Sequence, residues 1–339
     1  MSSHLASSTR RLSRRRSFLH FCSLKRCTRL MAGVSVLALV SLLAPSKAMS
    51  CQTECTSRTA VITAYSTEIE PLIKVLKDRH EYRLQGVRFT IGTLNGEPVV
   101  VFMTGVSMTN AAMNTQRVLD QFNVKQIVFS GIAGSVDATQ NIGDVVVPSR
   151  GATYAESLYA RETDDGYQPS EKVRKSGLTP YGMIYPRFTD VLSARSRTKE
   201  ERLWFPVSES LLALANSTPS VTLTSCATTS QCTRDKPVIR IGGSGVSGSI
   251  FMDNADYRDY LHSVFEAQVA DMESAAVAQV AYANQIPFIA FRSVSDLAGG
   301  GDDVNEKHIY STMAADNAAA VVCAFIKQLA ASSLSASKA

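Results

Sequence analysis

The sequence is short of charge and of aromatic rings. Of its 339 residues, 19% are charged, 7% are aromatic and one is Trp. With 45% hydrophobic residues, this is the composition of a soluble globular protein with a real core, long enough for one large α/β domain or two modest ones. There is no Walker loop, no dinucleotide-binding glycine fingerprint and no Cys/His metal cluster, so the sequence implies no cofactor and no metal. No internal repeat is found. Acid is missing altogether from the first 48 residues, which hold nine Lys and Arg. The rest has 26 basic residues against 30 acidic, so the formal charge of +5 belongs to the leader and no basic face for nucleic acid is implied.

That leader (1–48) has a basic region, a short apolar core and a small-residue end at Ala48, which is the grammar of a cleaved secretory signal. The apolar run from Met31 to Ala44 is too short to span a bilayer, so no membrane association is expected once the leader is removed. The basic region is long and RRSFLH (15–20) approaches a twin-arginine signal, so the leader reads as extended or bipartite. A Ser/Arg-rich, acid-free start also fits a plastid transit peptide ahead of a lumen signal, whereas a start at Met31 leaves a compact signal. The expected location is secreted or in an endomembrane or vacuolar lumen, with the thylakoid lumen as the alternative. Of seven cysteines, Cys226 and Cys232 bracket a polar ATTSQ and are disulfide candidates in an oxidising compartment. Cys51 and Cys55 are a second possible pair; metal binding is the rival reading there, with no His or third Cys beside it.

Residues 49–58 read as a polar linker and 331–339 as a disordered tail. Between them, over 59–330, apolar strand-like runs alternate with helical patterns. TAVITAY (59–65) is strand-like, IEPLIKVLKD (69–78) has helical spacing, and VRFTIGTLNGEPVVVFMTG (87–105) reads as a hairpin turning at Asn95-Gly96. NAAMNTQRVLDQF (110–122) is an amphipathic helix, and KQIVFSGIAG (125–134) a buried strand entering a glycine-containing loop. A long polar insertion (155–203), the helix ESLLALANS, the strand PVIRIGG, a helix over 272–284, the strand PFIAFRSVS and a C-terminal helix (311–330) follow. The alternation predicts a single three-layer αβα domain with a central mixed sheet.

Four places join a strand end to polar or glycine residues, where open α/β sheets bind ligands. They are TAYSTEIEPL, FSGIAGSVDATQNIGDVVVPS, GGSGVSGSIFMDNADYRDYL and the pair DMESAAVAQV…SVSD. Taken singly each has a plain reading: Glu68 as a first-turn helix acid, GIAG as a tight turn, GGSGVSGS as a flexible loop, Phe251 as a core aromatic and Glu273 as a cap. Together, in their order and spacing, these motifs resemble the nucleoside phosphorylase and nucleosidase superfamily over most of 59–330. They are most similar to its methylthioadenosine/S-adenosylhomocysteine nucleosidases. WFPVSESL, the Cys226…Cys232 loop, FMDNADYRDYLHS and SDLAGGG resemble the secreted plant branch that includes bark storage proteins.

The resemblance implies a nucleoside substrate, a homo-oligomer and a set of roles. Asp296 is placed as the general acid to purine N7, Glu273 as the acceptor for ribose hydroxyls, and Glu68 as the acid that activates water. Met272 lines the sugar, Phe251 stacks on the base, Met252 reads its edge, and Gly134 and Ile132 belong to the glycine-containing loop. The chemistry suits these residue types. Cleaving a C–N glycosidic bond builds positive charge on the sugar and negative charge on the base, so the acid at the base must carry a proton and a carboxylate near the sugar favours the cation. Inverting hydrolysis needs a second carboxylate on the far face to activate water. The first loop, TAYSTEIE, has no Arg, and Phe129 precedes SGIAG where phosphorylases of the family hold phosphate with arginine. Hydrolysis is therefore expected, with a phosphorylase and a non-catalytic storage protein as alternatives. Arg292 matches a structural arginine. Departures are Ile132, where the nucleosidases have Ser, and Tyr65, in the place of a methionine near the sugar's 5′ end.

Overall fold

The computed structural model describes residues 52–169, 176–300 and 306–336, so the leader and Cys51 lie outside the described residues. The first strand, β1 (Glu54–Thr63), is buried from Thr59 onward, and α1 (Ser66–Val75) follows it. Next come β2 (Lys77–Leu84), β3 (Val87–Leu94) and β4 (Glu97–Met103), an antiparallel series whose β3–β4 hairpin turns at Asn95 (φ 49°) and Gly96 (φ 89°). After α2 (Met108–Gln121) and β5 (Phe122–Ser135) lie β6 (Val145–Val147) and β7 (Arg150–Thr153). The polar insertion forms three small ribbons. In it β8 (Ser157–Tyr159) pairs with β11 (Ile184–Pro186), β9 (Arg161–Thr163) with β10 (Gly166–Gln168), and β12 (Thr189–Val191) with β13 (Glu200–Arg202). The chain then runs through β14 (Phe205–Pro206), α3 (Glu209–Ser217), β15 (Ile239–Ile241), β16 (Ser244–Ser247), α4 (Ala255–Phe265), β17 (Ala267–Asp271), α5 (Ser274–Asn284), β18 (Phe288–Leu297) and α6 (Lys307–Ala336).

The strands form one mixed sheet in the order β14-β7-β16-β17-β5-β1-β4-β3-β2, with β18 paired to β5 and β6, and β6 to β15. Both β1 and β18 run parallel to β5 and are buried on both faces, which is why their sequences are continuous apolar runs rather than alternations. On one face α1 and α3 pack against α6; on the other α2 packs against α5. The helix α6 has the length and apolarity to cross a membrane, but here Ala314, Ala318, Val322, Phe325 and Ile326 sit fully buried against the sheet core. Cys226 and Cys232 are joined by a disulfide.

Four expectations are corrected. Residues 54–58 belong to β1, because Glu54 and Arg58 register with Phe122 and Val124 of β5 and pair with each other at 2.6 Å. The tail is helical as far as Ala336: the Ser332 and Ser333 hydroxyls donate to the Gln328 and Leu329 carbonyls one turn back, so the run stays in the helix. The helix read over 69–78 ends at Val75, and KDRHEYRL becomes the exposed edge strand β2. Its charges suppress any hydrophobic period and blunt the edge against pairing with other chains. The Gly/Ser-rich GGSGVSGS contributes an interior strand, β16, between β7 and β17, rather than a loop.

Candidate active site

The ends of β1, β5, β17 and β18, with the segment after β16, enclose a cavity of about 200 Å³. Glu68 and Tyr65 reach it from the head of α1, and Ile132 and Gly134 from β5. Met272 and Glu273 come from the turn into α5, Phe251 and Met252 from the segment before α4, and Asp296 from β18. All nine candidate substrate or catalytic residues thus line one space. No described residue of the insertion 155–203 lines it.

Glu68 is 1% exposed and held by three backbone donors. Its Oε2 accepts from the N–H of Ala64 (2.6 Å) and Tyr65 (3.3 Å), and its Oε1 from the N–H of Ile132 (2.8 Å). The contact at position 132 is therefore made by backbone, and an apolar side chain serves. Burial pushes the Glu68 carboxyl above the usual carboxylate range, against the pull of Arg292 and these N–H groups. Arg292 is the hub beneath the cavity. Its guanidinium, 1% exposed, lies 2.8 Å from Asp271, 3.4 Å from Glu273 and 3.8 Å from Glu68, over the face of Phe129. Gly131 makes this possible, since a Cβ there would collide with the Arg292 guanidinium and lie 2.6 Å from Glu68 Oε1.

The two acids that open the run at 271–273 divide their work. Asp271 is the cap: its Oδ1 accepts from the N–H of Glu273 (3.0 Å) and Ser274 (2.9 Å) and from the Ser247 hydroxyl. Ser247 Oγ in turn accepts from the Ala275 N–H (2.9 Å). Glu273 occupies the N-cap position but makes no capping bond, so its carboxylate is available to face the cavity. Its Oε1 accepts from the N–H of Ser107 at 2.8 Å, a residue held at φ 89°, which for a non-glycine residue is a strained conformation spent on aiming that donor.

Asp296 Oδ1 accepts from the Ser295 hydroxyl at 2.6 Å, and a Cβ at position 134 would stand 3.3 Å from Asp296 Oδ2, so Gly134 keeps the approach open. Next to it, Gly299 (φ 82°) donates to the Met252 carbonyl, with a backbone approach to Asn254 so close that no side chain fits. This ties the Phe251–Met252 segment to the strand bearing Asp296. Phe251 is 48% exposed, so it is no core aromatic; Lys307 Nζ lies 4.8 Å from its ring centroid.

Burial is also the main reason the Glu273 carboxyl is pushed up to about 7, with Arg292 opposing and Asp271 adding to the rise. The folded value lies above the ordinary one, so the contribution to stability is complete below about pH 4.5 and is lost as pH rises through about 7, on the order of 3 kcal/mol. Urea unfolding midpoints should therefore fall between pH 5 and pH 8, and Glu273→Gln should flatten that slope. A variant with the wild-type slope would contradict this account.

Arg292, expected as a structural arginine, pairs with three acids, and Lys307, Ser107 and Ser247 join the site as well. Only Arg292 carried a sequence signal, as a cation inside an otherwise apolar strand run.

Comparison with known proteins agrees with the fold. A family model described as the phosphorylase superfamily matches residues 58–327. Over 246 residues, the chain is 27% identical to a 5′-methylthioadenosine/S-adenosylhomocysteine nucleosidase of Staphylococcus epidermidis, covering 72% of this chain and 89% of that protein. It is 28% identical to bark storage protein A of Populus deltoides over 256 residues, 73% of this chain and 79% of the other. Among solved structures, the S. pneumoniae 5′-methylthioadenosine/S-adenosylhomocysteine nucleosidase with a transition-state inhibitor superimposes with a TM-score of 0.61 at 22% identity. That match covers 80% of this chain and 99% of that one.

Proposed function

The chain belongs to the phosphorylase superfamily, and we propose that it is a hydrolytic member, a purine-type nucleosidase that cleaves an N-glycosidic bond with water. The observation that carries this reading is the convergence of Glu68, Glu273 and Asp296 on one cavity whose nearest arginine, Arg292, is already committed to acids. Among the described residues Lys307 is the one cation lining the cavity, set against Glu68, Asp271, Glu273 and Asp296, so the surroundings disfavour phosphate.

In this mechanism the C1′–N9 bond breaks as Asp296 gives its proton to N7, and the purine leaves neutral. Positive charge building on the ribose is stabilised by Glu273, which also holds the 2′- and 3′-hydroxyls. Glu68 takes a proton from the water whose oxygen forms the new bond to C1′. Phe251 stacks on the base. The likeness to a bark storage protein favours a second reading, a storage protein on the same fold that turns nothing over.

The test is base release from a panel of purine nucleosides, with and without phosphate. Phosphate-independent release is the expected result. Release only with phosphate moves the assignment to a phosphorylase, and no release from folded protein moves it to storage.

The proposal extends to an oxidising compartment, which the Cys226–Cys232 disulfide supports, and to a homo-oligomer. For the latter, Val106 and Ile250 are exposed apolar side chains that also line the cavity, and Met103 and Met113 are exposed as well. A monomer by light scattering would remove the oligomer.

A further inference from the structure

Two serines meet across the mouth of the cavity. The Ser107 hydroxyl donates to the Ser249 hydroxyl at 2.8 Å, joining the loop between β4 and α2 to the segment after β16. Their neighbours Val106 and Ile250 both line the cavity, so the bond ties one wall to the other. Ser107 is also the N-cap of α2, yet its side chain makes no capping bond. A serine at that position ordinarily takes an extended backbone and turns its oxygen to the N–H groups of the first turn. Here φ is 89° and ψ is 152°, a region that glycine almost alone adopts. The hydroxyl is diverted from the helix to Ser249, and the backbone is turned with it.

That turn matters at Glu273. The Ser107 N–H donates to Glu273 Oε1 at 2.8 Å, whereas the Arg292 guanidinium reaches Oε2 at 3.4 Å. The shorter bond fixes the carboxylate that holds the sugar in the nucleosidase reading. The peptide that carries this N–H is gripped at its other end by Asn110, whose Nδ2 donates to the Val106 carbonyl at 2.8 Å. Ser249 supplies the hold on the side chain. Resting on the nucleosidase reading, we propose that Ser249 is a positioning residue for the ribose-binding carboxylate: by holding the Ser107 hydroxyl, it keeps the Ser107 N–H aimed at Glu273. Without that hold, Ser107 relaxes toward the ordinary capping conformation and its N–H swings away from the carboxylate. Ser249 is exposed, so its replacement leaves the fold in place and the effect falls on activity.

The experiment measures kcat/KM against pH for adenosine, inosine and 5′-methylthioadenosine. It compares the wild type with Ser249→Ala, Ser249→Thr, Ser107→Ala and Ser107→Gly. Ser249→Ala should lower kcat/KM about fivefold to tenfold, the weight of one hydrogen bond, and Ser249→Thr should keep most of the activity. Ser107→Ala and Ser107→Gly both lack the hydroxyl, but only glycine adopts the observed backbone freely. Ser107→Gly should therefore exceed Ser107→Ala by about threefold or more. The Ser107 N–H draws the Glu273 carboxyl down, so in Ser249→Ala the low-pH limb of the profile should move to higher pH.

Wild-type activity in Ser249→Ala, or Ser107→Ala as active as Ser107→Gly, would overturn the proposal and leave the nucleosidase reading standing. So would a loss in Ser249→Ala confined to KM with the wild-type pH limb, which would place the effect on the neighbouring Phe251 instead. No base release by the wild type from any of these nucleosides would overturn both.

Discussion

Asp296→Asn is expected to lower kcat by about 10²–10⁴, with little change in the affinity for free purine base. The substitution keeps the shape, and the amide oxygen can still accept from the Ser295 hydroxyl that now bonds Oδ1 at 2.6 Å. What is lost is the proton that lets the purine leave neutral. A leaving group that departs without protonation separates this role from a merely positional one. On a p-nitrophenyl riboside the variant should keep most of the wild-type rate, because no acid is needed there. A kcat within tenfold of wild type on purine nucleosides, or an equal loss on both substrate types, would remove Asp296 as the acid.

The second large effect concerns stability. Arg292→Met should cost about 3–5 kcal/mol, the range for breaking a buried charge cluster by removing one side. Methionine fills much of the volume and can still pack on Phe129, so the loss is mainly electrostatic. It leaves Glu68, Asp271 and Glu273, all under 10% exposed at the side chain, without their counterion. The pH dependence has a definite sign. Burial already raises the Glu68 and Glu273 carboxyls, and without the guanidinium that pulls them down both move higher. Stability is then present at low pH, where they are protonated, and is lost as pH rises through the raised values. Urea denaturation should show a larger deficit at pH 8 than at pH 5. A deficit below about 1 kcal/mol at both would mean the cluster is not the electrostatic unit its geometry describes.

Much of this architecture was legible because its signals are local. Asn95-Gly96 announces its hairpin, PFIAFRSVS opens on an unbroken apolar run, and α2 shows its face by period. The positions of Glu68, Glu273 and Asp296 were legible through motif order, although nothing in the linear sequence says that α1, α5 and β18 meet. The fold supplies that through β5, which has β1 on one side and β18 on the other. What could not be read depends on tertiary context. KDRHEYRL is a strand only because β3 offers an edge, and GGSGVSGS is one only because β7 and β17 flank it, where its small residues let Ser247 reach the head of α5. The strained Ser107 is likewise a property of neighbours far away in sequence.

The order in which the charged residues are made has its own consequence. Among the described elements Glu68 lies in the first helix to leave the ribosome, Asp271 and Glu273 come late, and Arg292 and Asp296 later still, on the last strand. A nascent chain can begin pairing β1, β4 and β5 early, since those strands are close in sequence and mutually apolar. Glu68, Asp271 and Glu273 lack their buried counterion until β18 has emerged with Arg292. Translation itself thus withholds both the last step of folding and the proton donor until nearly the whole chain exists, and no amino-terminal fragment ending before β18 can hold a complete site.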